Sequence, residues 1–216
     1  MTYLDAINRV LRRLREDEVS SVTSTAYSKL IGDYVNDAVR LVEDAWDWSV
    51  LRKEVTVTTV ANQRNYTLPN VTQSFKTLSV ANSTQKSFLK EGTERGLQED
   101  KFVNTANASV PTNYLYTGYV DLVDGMGVSF YPIPDKAYSF VFNIVDRSDE
   151  LTEAGDQIVV PYLPVIQFAT AMAAEERGET GGASASALFA MARTSLSDAI
   201  SFDAAHFPTE TVWYDV

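Results

Sequence analysis

Residues that could carry catalysis or hold a metal ion are few in this chain of 216 residues. The only histidine, His206, follows the last Ala-rich stretch, and the sequence contains no cysteine. A catalytic histidine needs an orienting partner, and a metal site usually needs several ligands. We therefore interpret His206 as a polar residue that the helix dipole favours near a helix end. The lack of cysteine excludes disulfides and thiolate metal sites.

Two groups of acidic residues have the wrong spacing for the chemistry that they suggest. Glu175 and Glu176 are adjacent, and adjacent residues of a helix point about 100° apart, so they do not converge as an acid–base pair. Asp121, Asp124 and Gly125 lack the alternation and the distal Glu of a calcium loop, which favours a hairpin turn. No Gly-rich phosphate loop and no Gly-x-Ser-x-Gly motif occurs. The sequence predicts a protein without catalytic residues or cofactors.

The chain is strongly acidic, with a formal charge of −11 and a pI of about 4.5. Tight binding to nucleic acid depends on Lys and Arg that displace counterions, so a sequence-specific DNA binder is not expected. An acidic wall along which DNA slides without sticking is compatible with this charge. The single basic cluster consists of Arg9, Arg12, Arg13 and Arg15. It is a candidate contact for a partner or for DNA, and a solvated face paired with nearby acids is an equally good interpretation.

The last ten residues form a hydrophobic segment without helical periodicity. Aromatic and aliphatic residues in an extended tail are typical anchors for a groove on a partner protein. Folding back on its own domain is the alternative. The candidate docking residues are Phe207, Val212, Trp213, Tyr214 and Val216.

Apolar residues at helical spacing predict two helices at each end of the chain. The first begins after Thr2 and ends near Glu16, and the second runs from about Ala26 to Trp48. We expect Trp46 in the core and Trp48 at the junction with the following strand. Two C-terminal helices begin near the prolines at 161 and 164 and at about 183, separated by a glycine hinge at 181–182.

The middle of the chain contains runs of β-branched and aromatic residues between turn signals. They predict an antiparallel sheet or a small sandwich with strands at 54–60, 66–69, 75–80, 87–89, 114–119, 127–131 and 138–145. The charged stretch 91–100 suits a loop or a single helical turn. The order of elements predicts an α+β fold: a helical bundle from 1–53 and 151–206, an inserted antiparallel β-rich region at 54–150, and an extended tail at 207–216.

Signals for export or for membrane insertion are missing from the sequence. The N-terminus is charged throughout and has no apolar core of a signal peptide. No apolar run approaches the roughly 20 residues that span a bilayer. We therefore expect neither ordinary secretion nor a membrane partner.

Several ordered motifs resemble the head-to-tail adaptors, also called tail tubular or gatekeeper-ring proteins, of short-tailed bacteriophages. They are the N-terminal helix at 5–11, the long helix that closes in 38–48 with β-structure at 53–57, the Phe-Tyr-Pro-Ile-Pro-Asp stretch at 130–135, and the segment 151–161 before an Ala-rich helix that ends in Glu-Arg-Gly at 176–178. The resemblance spans nearly the whole chain.

The resemblance implies a virion protein of the head–tail junction, made in the host cytoplasm. It implies a homo-oligomeric ring of twelve copies beneath the portal protein, with nozzle or tail fibre proteins below it. DNA would pass through the lumen during genome ejection without sequence-specific binding. The C-terminal segment, here 207–216, would reach up to the portal. No catalytic residue carries over.

Two other functions remain open from the residues alone. One is a carbohydrate- or ligand-binding β-sandwich module of a virion or surface protein, with Tyr114, Tyr116, Tyr119 and Tyr131 as a face on which sugars stack. The other is a hydrolase that uses carboxylates.

Overall fold

A computed structural model describes residues 1–103, 108–120, 125–178 and 184–206. Within these ranges the protein has five α-helices and a seven-stranded sheet, which confirms the predicted α+β class. The chain divides into two compact units. We call them the helical unit, made of the described parts of Met1–Leu51 and Ser148–Val216, and the strand unit, made of those of Arg52–Arg147.

The helical unit begins with α1 (Tyr3–Arg13) and α2 (Ala26–Asp44). The Thr2 hydroxyl accepts a hydrogen bond from the Asp5 backbone N–H, and Thr25 and Ser28 form a reciprocal capping box at the start of α2. Such caps satisfy backbone donors that the first turn leaves without partners. The apolar face of α1 packs on α2, as its helical spacing predicts.

The centre of the helical unit is α4 (Tyr162–Glu176), which contacts α1, α2 and α5 (Ser184–His206). Its buried residues lie on several faces, as expected of a helix surrounded by others. They are Pro164, Val165, Ile166, Phe168, Ala169, Thr170, Ala171, Ala173 and Ala174. By contrast, Ala192 is the only buried side chain among the described residues of α5.

The end of α2 and the roles of two tryptophans differ from the prediction. The helix stops at Asp44 and a 3₁₀ turn follows at Ser49–Leu51. Trp48, expected at a junction, is fully buried and donates its indole N–H to the Val42 carbonyl at 2.6 Å. Trp46, expected in the core, is only half-buried. Because α2 ends at Asp44, the two tryptophans do not lie on the apolar face that a longer helix would have placed them on or beside.

The strand unit contains seven strands in the order β1-β7-β3-β4-β5-β6-β2. A short helix, α3 (Glu94–Gln98), and a π-helical turn (Glu99–Val103) occupy the stretch predicted as a loop or helical turn. The strands are β1 (Arg52–Thr58), β2 (Asn65–Pro69), β3 (Lys76–Asn82), β4 (Ser87–Glu91), β5 (Asn113–Val120), β6 (Gly125–Tyr131) and β7 (Ser139–Val145).

The predicted all-antiparallel pairing is wrong at one place. Strands β4 and β5 pair in parallel, with Lys90 opposite Asn113 and Glu91 opposite Tyr114. Parallel neighbours need a crossover connection of a dozen or more residues. The segment between them, which includes α3, supplies that length, so the sheet is mixed.

The core of the strand unit is built on aromatic residues from neighbouring strands. Phe130 of β6 stacks on Phe140 of β7, with ring centroids 4.5 Å apart. Phe142 of β7 meets the ring of Tyr114 edge-on at 5.7 Å. Because β7 pairs with both β1 and β3, its alternate side chains form the centre of this core.

Replacing Phe142 with Ala should lower the free energy of unfolding by about 3–5 kcal/mol, because a fully buried ring leaves a cavity. Denaturant unfolding followed by circular dichroism measures this. The matched control is Phe88→Ala, at a ring that is 76% exposed on β4. The control should change stability by no more than about 0.5 kcal/mol. Equal losses for the two variants would contradict the assigned core.

Candidate assembly surfaces

Nearly all of the protein's excess negative charge belongs to the helical unit. That part of the chain has 8 Lys and Arg residues against 20 Asp and Glu residues, a formal charge of −12. The strand unit has 10 against 9, a formal charge of +1, and the two together give the −11 of the whole chain. The helical unit is therefore the part that repels phosphates and other acidic surfaces.

The predicted arginine cluster lies on and just after α1, and all four side chains are exposed. Arg12 pairs with Glu18 at 2.7 Å, and the guanidinium carbon of Arg9 lies 5.3 Å from the centroid of the Tyr162 ring. Burial and the nearby charge of Arg9 lower the pKa of Arg13. Arg9, Arg12 and Arg13 therefore form a basic face of α1. Arg12 has an ion-pair partner within 4.0 Å, and the charge of Arg9 helps to lower the pKa of Asp5.

An acidic patch, which the sequence analysis did not identify, lies on α2 and the loop before α4. We define it as Asp33, Asp37 and Glu150. Asp33 and Asp37 are exposed and one helical turn apart. The charges of Asp33 and Glu150 both raise the pKa of the Tyr3 phenol, so each carboxylate lies within electrostatic reach of that phenol. Arg40 of α2 lies 4.0 Å from Glu150. The sequence shows that Asp33 and Asp37 are one helical turn apart. It does not show that Glu150 lies within electrostatic reach of the same Tyr3 phenol as Asp33.

Asp203 fixes the C-terminal part of α5 to the segment that follows α2. Its carboxylate accepts hydrogen bonds from the Trp46 indole N–H at 3.0 Å and the Ser49 backbone N–H at 3.2 Å. It also accepts one from the Ser49 hydroxyl. No sequence signal distinguished this aspartate from the other acidic residues of α5, because its partners are more than 150 positions away.

A groove of about 540 Å³ lies beside this anchor, at the end of α5. Its walls are mostly apolar, and the Phe202 ring on its rim is 71% exposed. Its lining residues are Trp48, Ser49, Val50, Val159, Val160, Pro161, Ala199, Phe202, Asp203 and His206. The predicted docking tail lies outside the described residues and follows His206 in the sequence. It contains Phe207, Val212, Trp213, Tyr214 and Val216.

Large apolar side chains are exposed on several parts of the helical unit. A soluble monomer rarely exposes extensive apolar surface unless a partner covers it. These residues are Leu41, Val50, Val159, Tyr162, Leu163, Met191 and Phe202. The helical unit therefore has surfaces suited to protein contacts.

The tyrosines proposed to bind sugars do not form an open face. Tyr114 and Tyr131 are buried, and the Tyr131 hydroxyl accepts a hydrogen bond from the Thr93 backbone N–H. Tyr116 is half-buried, and its hydroxyl lies 2.6 Å from that of Thr77. The side chain of Tyr119 lies outside the description. The prediction that these four tyrosines form a sugar-stacking face is therefore wrong for at least two of them, Tyr114 and Tyr131.

The described residues also bring no catalytic or metal-binding group together. His206 is exposed in the last turn of α5, with its ring Nδ1 2.8 Å from the Phe202 carbonyl oxygen. Glu175 and Glu176 are exposed at the end of α4. No cluster of three or more potential metal ligands occurs in the described ranges. Asp121 and Asp124 lie outside those ranges.

Asp203→Ala should lower the free energy of unfolding by about 2–3 kcal/mol, because three donors lose a charged acceptor. Urea unfolding monitored by tryptophan fluorescence measures the change. Asp198→Ala, at an exposed aspartate of the same helix, is the control and should stay within about 0.5 kcal/mol of the wild type. An Asp203→Ala variant with an unchanged free energy of unfolding would show that these hydrogen bonds do not stabilise the fold.

Burial raises the pKa of Tyr3 to about 12, with additions from the charges of Asp33, Glu150 and Asp156. A raised phenol pKa stabilises the fold fully below the unfolded value near 10, and this stabilisation is lost as the pH rises towards 12. Between about pH 9 and about pH 11.5, the wild type should therefore lose about 2 kcal/mol more stability than Tyr3→Phe. Urea unfolding at both pH values tests this. Parallel losses in the two proteins would contradict the assignment.

Comparison with known proteins identifies a family for the chain. No curated protein matches the chain. Among the described residues, no helix has the length and hydrophobicity that crossing a bilayer requires. The sequence matches the family described as SU10 adaptor protein over residues 1–210, nearly its whole length. The chain therefore belongs to the SU10 adaptor protein family, which confirms the predicted resemblance to the head-to-tail adaptors of bacteriophages.

Proposed function

We propose that this protein forms a closed ring of twelve copies at the head–tail junction of a phage particle. The ring lies between the portal protein and the tail nozzle or tail fibre proteins, and genome DNA passes through it. The observation that carries this proposal is the family match, which covers residues 1–210 rather than one short motif. The protein acts by shape and surface charge, without catalysis.

The exposed surface of the helical unit supports self-assembly. Identical copies form a ring when each uses one face to bind a different face of its neighbour and the rotation closes. Along α5, Met191 and Phe202 are exposed, and the small side chains of this helix allow close approach. We propose that the helical unit is a bundle into which the strand unit is inserted, and that the bundle forms the body of the ring.

The charge of the helical unit suits a passage for DNA. A surface of net charge −12 gains little from the counterion release that makes DNA binding tight. DNA that moves past such a wall is repelled rather than held. We propose that the lumen uses this repulsion and that no residue reads the DNA sequence.

The strand unit offers surfaces for tail proteins. Phe88 on β4 and Phe102 on the π-helical turn are both strongly exposed. Exposed aromatic rings are frequent anchors of protein interfaces. The tail residues 207–216 would dock on the portal.

The test mixes the purified protein with the portal protein of the same phage. Light scattering should show a complex of defined mass, and electron micrographs of it should show twelve-fold symmetry. Deleting residues 207–216 should abolish portal binding and leave the melting temperature unchanged, because the core of the helical unit is built from residues that precede this segment.

The Phe142→Ala variant provides the opposite control, because it should lose stability while the docking segment stays intact. Unchanged portal binding by the deleted protein would reject the docking role of the tail. Another symmetry would reject the count of twelve. A protein that binds neither itself nor the portal would reject the adaptor function. Binding on a glycan array would instead revive the carbohydrate-binding alternative.

A further inference from the structure

A ring of this protein must bring together helical units that repel one another. Each carries a formal charge of −12, and four of its eight cationic residues lie between positions 9 and 15. Of the other four, Arg40 lies 4.0 Å from Glu150, and Arg177 pairs with Glu16 at 3.0 Å. An approaching copy is therefore attracted mainly at the basic face of α1.

On this basic face, Arg9 and Arg13 are the pair best placed to meet a neighbour. They are exposed and one helical turn apart, so their side chains lie side by side on α1. Arg12 is turned towards Glu18. Neither Arg9 nor Arg13 has an ion-pair partner within 4.0 Å among the described residues. Arg9 lies against the face of the Tyr162 ring, and its charge helps to lower the pKa of Asp5, one helical turn before it. Both guanidinium groups keep donors for an acceptor on another molecule.

The matching surface is the exposed face of α2. Asp33 and Asp37 are also one turn apart and have no ion-pair partner within 4.0 Å in the described part of the chain. Leu41, one further turn along the same face, is 47% exposed. Glu150 lies 4.0 Å from Arg40, which offsets its charge, so the negative charge of this face comes from Asp33 and Asp37. The face thus combines two free carboxylates with an apolar side chain.

The two faces are complementary in both sign and spacing. Arg9 to Arg13 and Asp33 to Asp37 each span four residues, which is about 6 Å along a helix. Two helices side by side can therefore form two ion pairs at once. In the proposed ring the contact is not reciprocal: the basic face of one copy binds the acidic face of the next, so each end of a growing assembly keeps one free face. Contacts of this kind continue until the ring closes.

We propose that the Arg9–Arg13 face of α1 in one copy docks on the Asp33–Asp37 face of α2 in the next copy. This inference rests on the proposed ring and assigns the arginine cluster to the contact between its subunits. Exposed ion pairs are individually weak, so most of the affinity comes from the apolar contacts around them. The charges select the neighbour and fix its register, since most other approaches between two units of charge −12 are repulsive, with only the exposed Lys29 and Arg193 as further cationic residues away from α1 and Glu150.

A reciprocal charge reversal tests this contact. One variant carries Arg9→Glu and Arg13→Glu, and the other carries Asp33→Arg and Asp37→Arg. Each alone should require a concentration at least about tenfold higher for half-assembly than the wild type, because like charges now face each other. An equimolar mixture should assemble as the wild type does, into a ring in which the two variants alternate. Native mass spectrometry, with and without the portal protein, measures the mass and composition.

Matched controls separate the local contact from the net charge. Lys86→Glu with Lys90→Glu changes the net charge as the first variant does, and Glu91→Arg with Glu94→Arg changes it as the second does. All four positions are exposed in the strand unit, and both controls should assemble like the wild type. Circular dichroism should show that every variant is folded. Assembly of the equimolar mixture would show independently that both charge-reversal variants are folded.

The outcomes distinguish this contact from the proposed function. If the wild type forms no ring alone or on the portal, the ring itself is overturned. If the wild type and both reversal variants assemble equally well, the ring stands and the contact is wrong. If both variants fail and their mixture also fails, the two faces do not meet each other, and the contact is again overturned.

Discussion

The burial of α4 between helices from both ends of the chain is the constraint on which the architecture depends. This helix is apolar on several faces, so it needs α1 and α2 on one side and α5 on another. Because α1 and α2 precede it by more than one hundred residues, the chain must return to them before α4 can be buried. The intervening residues, Arg52–Arg147, then form a compact unit of their own. The division of the chain into these two units therefore follows from the need to bury the apolar faces of α4.

The same constraint decides which surfaces remain available for assembly. The inner faces of α1 and α2 pack on each other and on α4, so their outer faces can be charged, with arginines on one and aspartates on the other. α5 packs on α4 along one side and leaves Met191 and Phe202 exposed. Near the C-terminal end of α5, Asp203 accepts hydrogen bonds from Trp46 and Ser49, which hold this weakly buried helix in place. An assembly protein needs this combination of a stable interior and incompletely covered helices.

Local patterns in the sequence predicted the elements but not every contact between them. Helical spacing and caps located α1 and α4, and alternation located the strands, because both depend on nearby residues. The burial of Trp48 rather than Trp46 depends on where α2 ends and on the Val42 carbonyl. The parallel pairing of β4 with β5 was also hidden, since alternation is the same in either direction. At Gly92, a Cβ atom would lie 1.6 Å from the Tyr131 hydroxyl, a packing requirement that no local pattern reveals.

The charge distribution, too, could be predicted only in part from the sequence. Four arginines within seven positions were evident from the sequence, but the imbalance between the units became clear only when the structure assigned residues to each unit. A basic cluster on a neutral protein would indicate little about its partner. On a helical unit of charge −12 it is the place where we propose that a copy of that unit binds. In that proposal, the net repulsion between the rest of the two units disfavours misaligned approaches and so contributes to specificity.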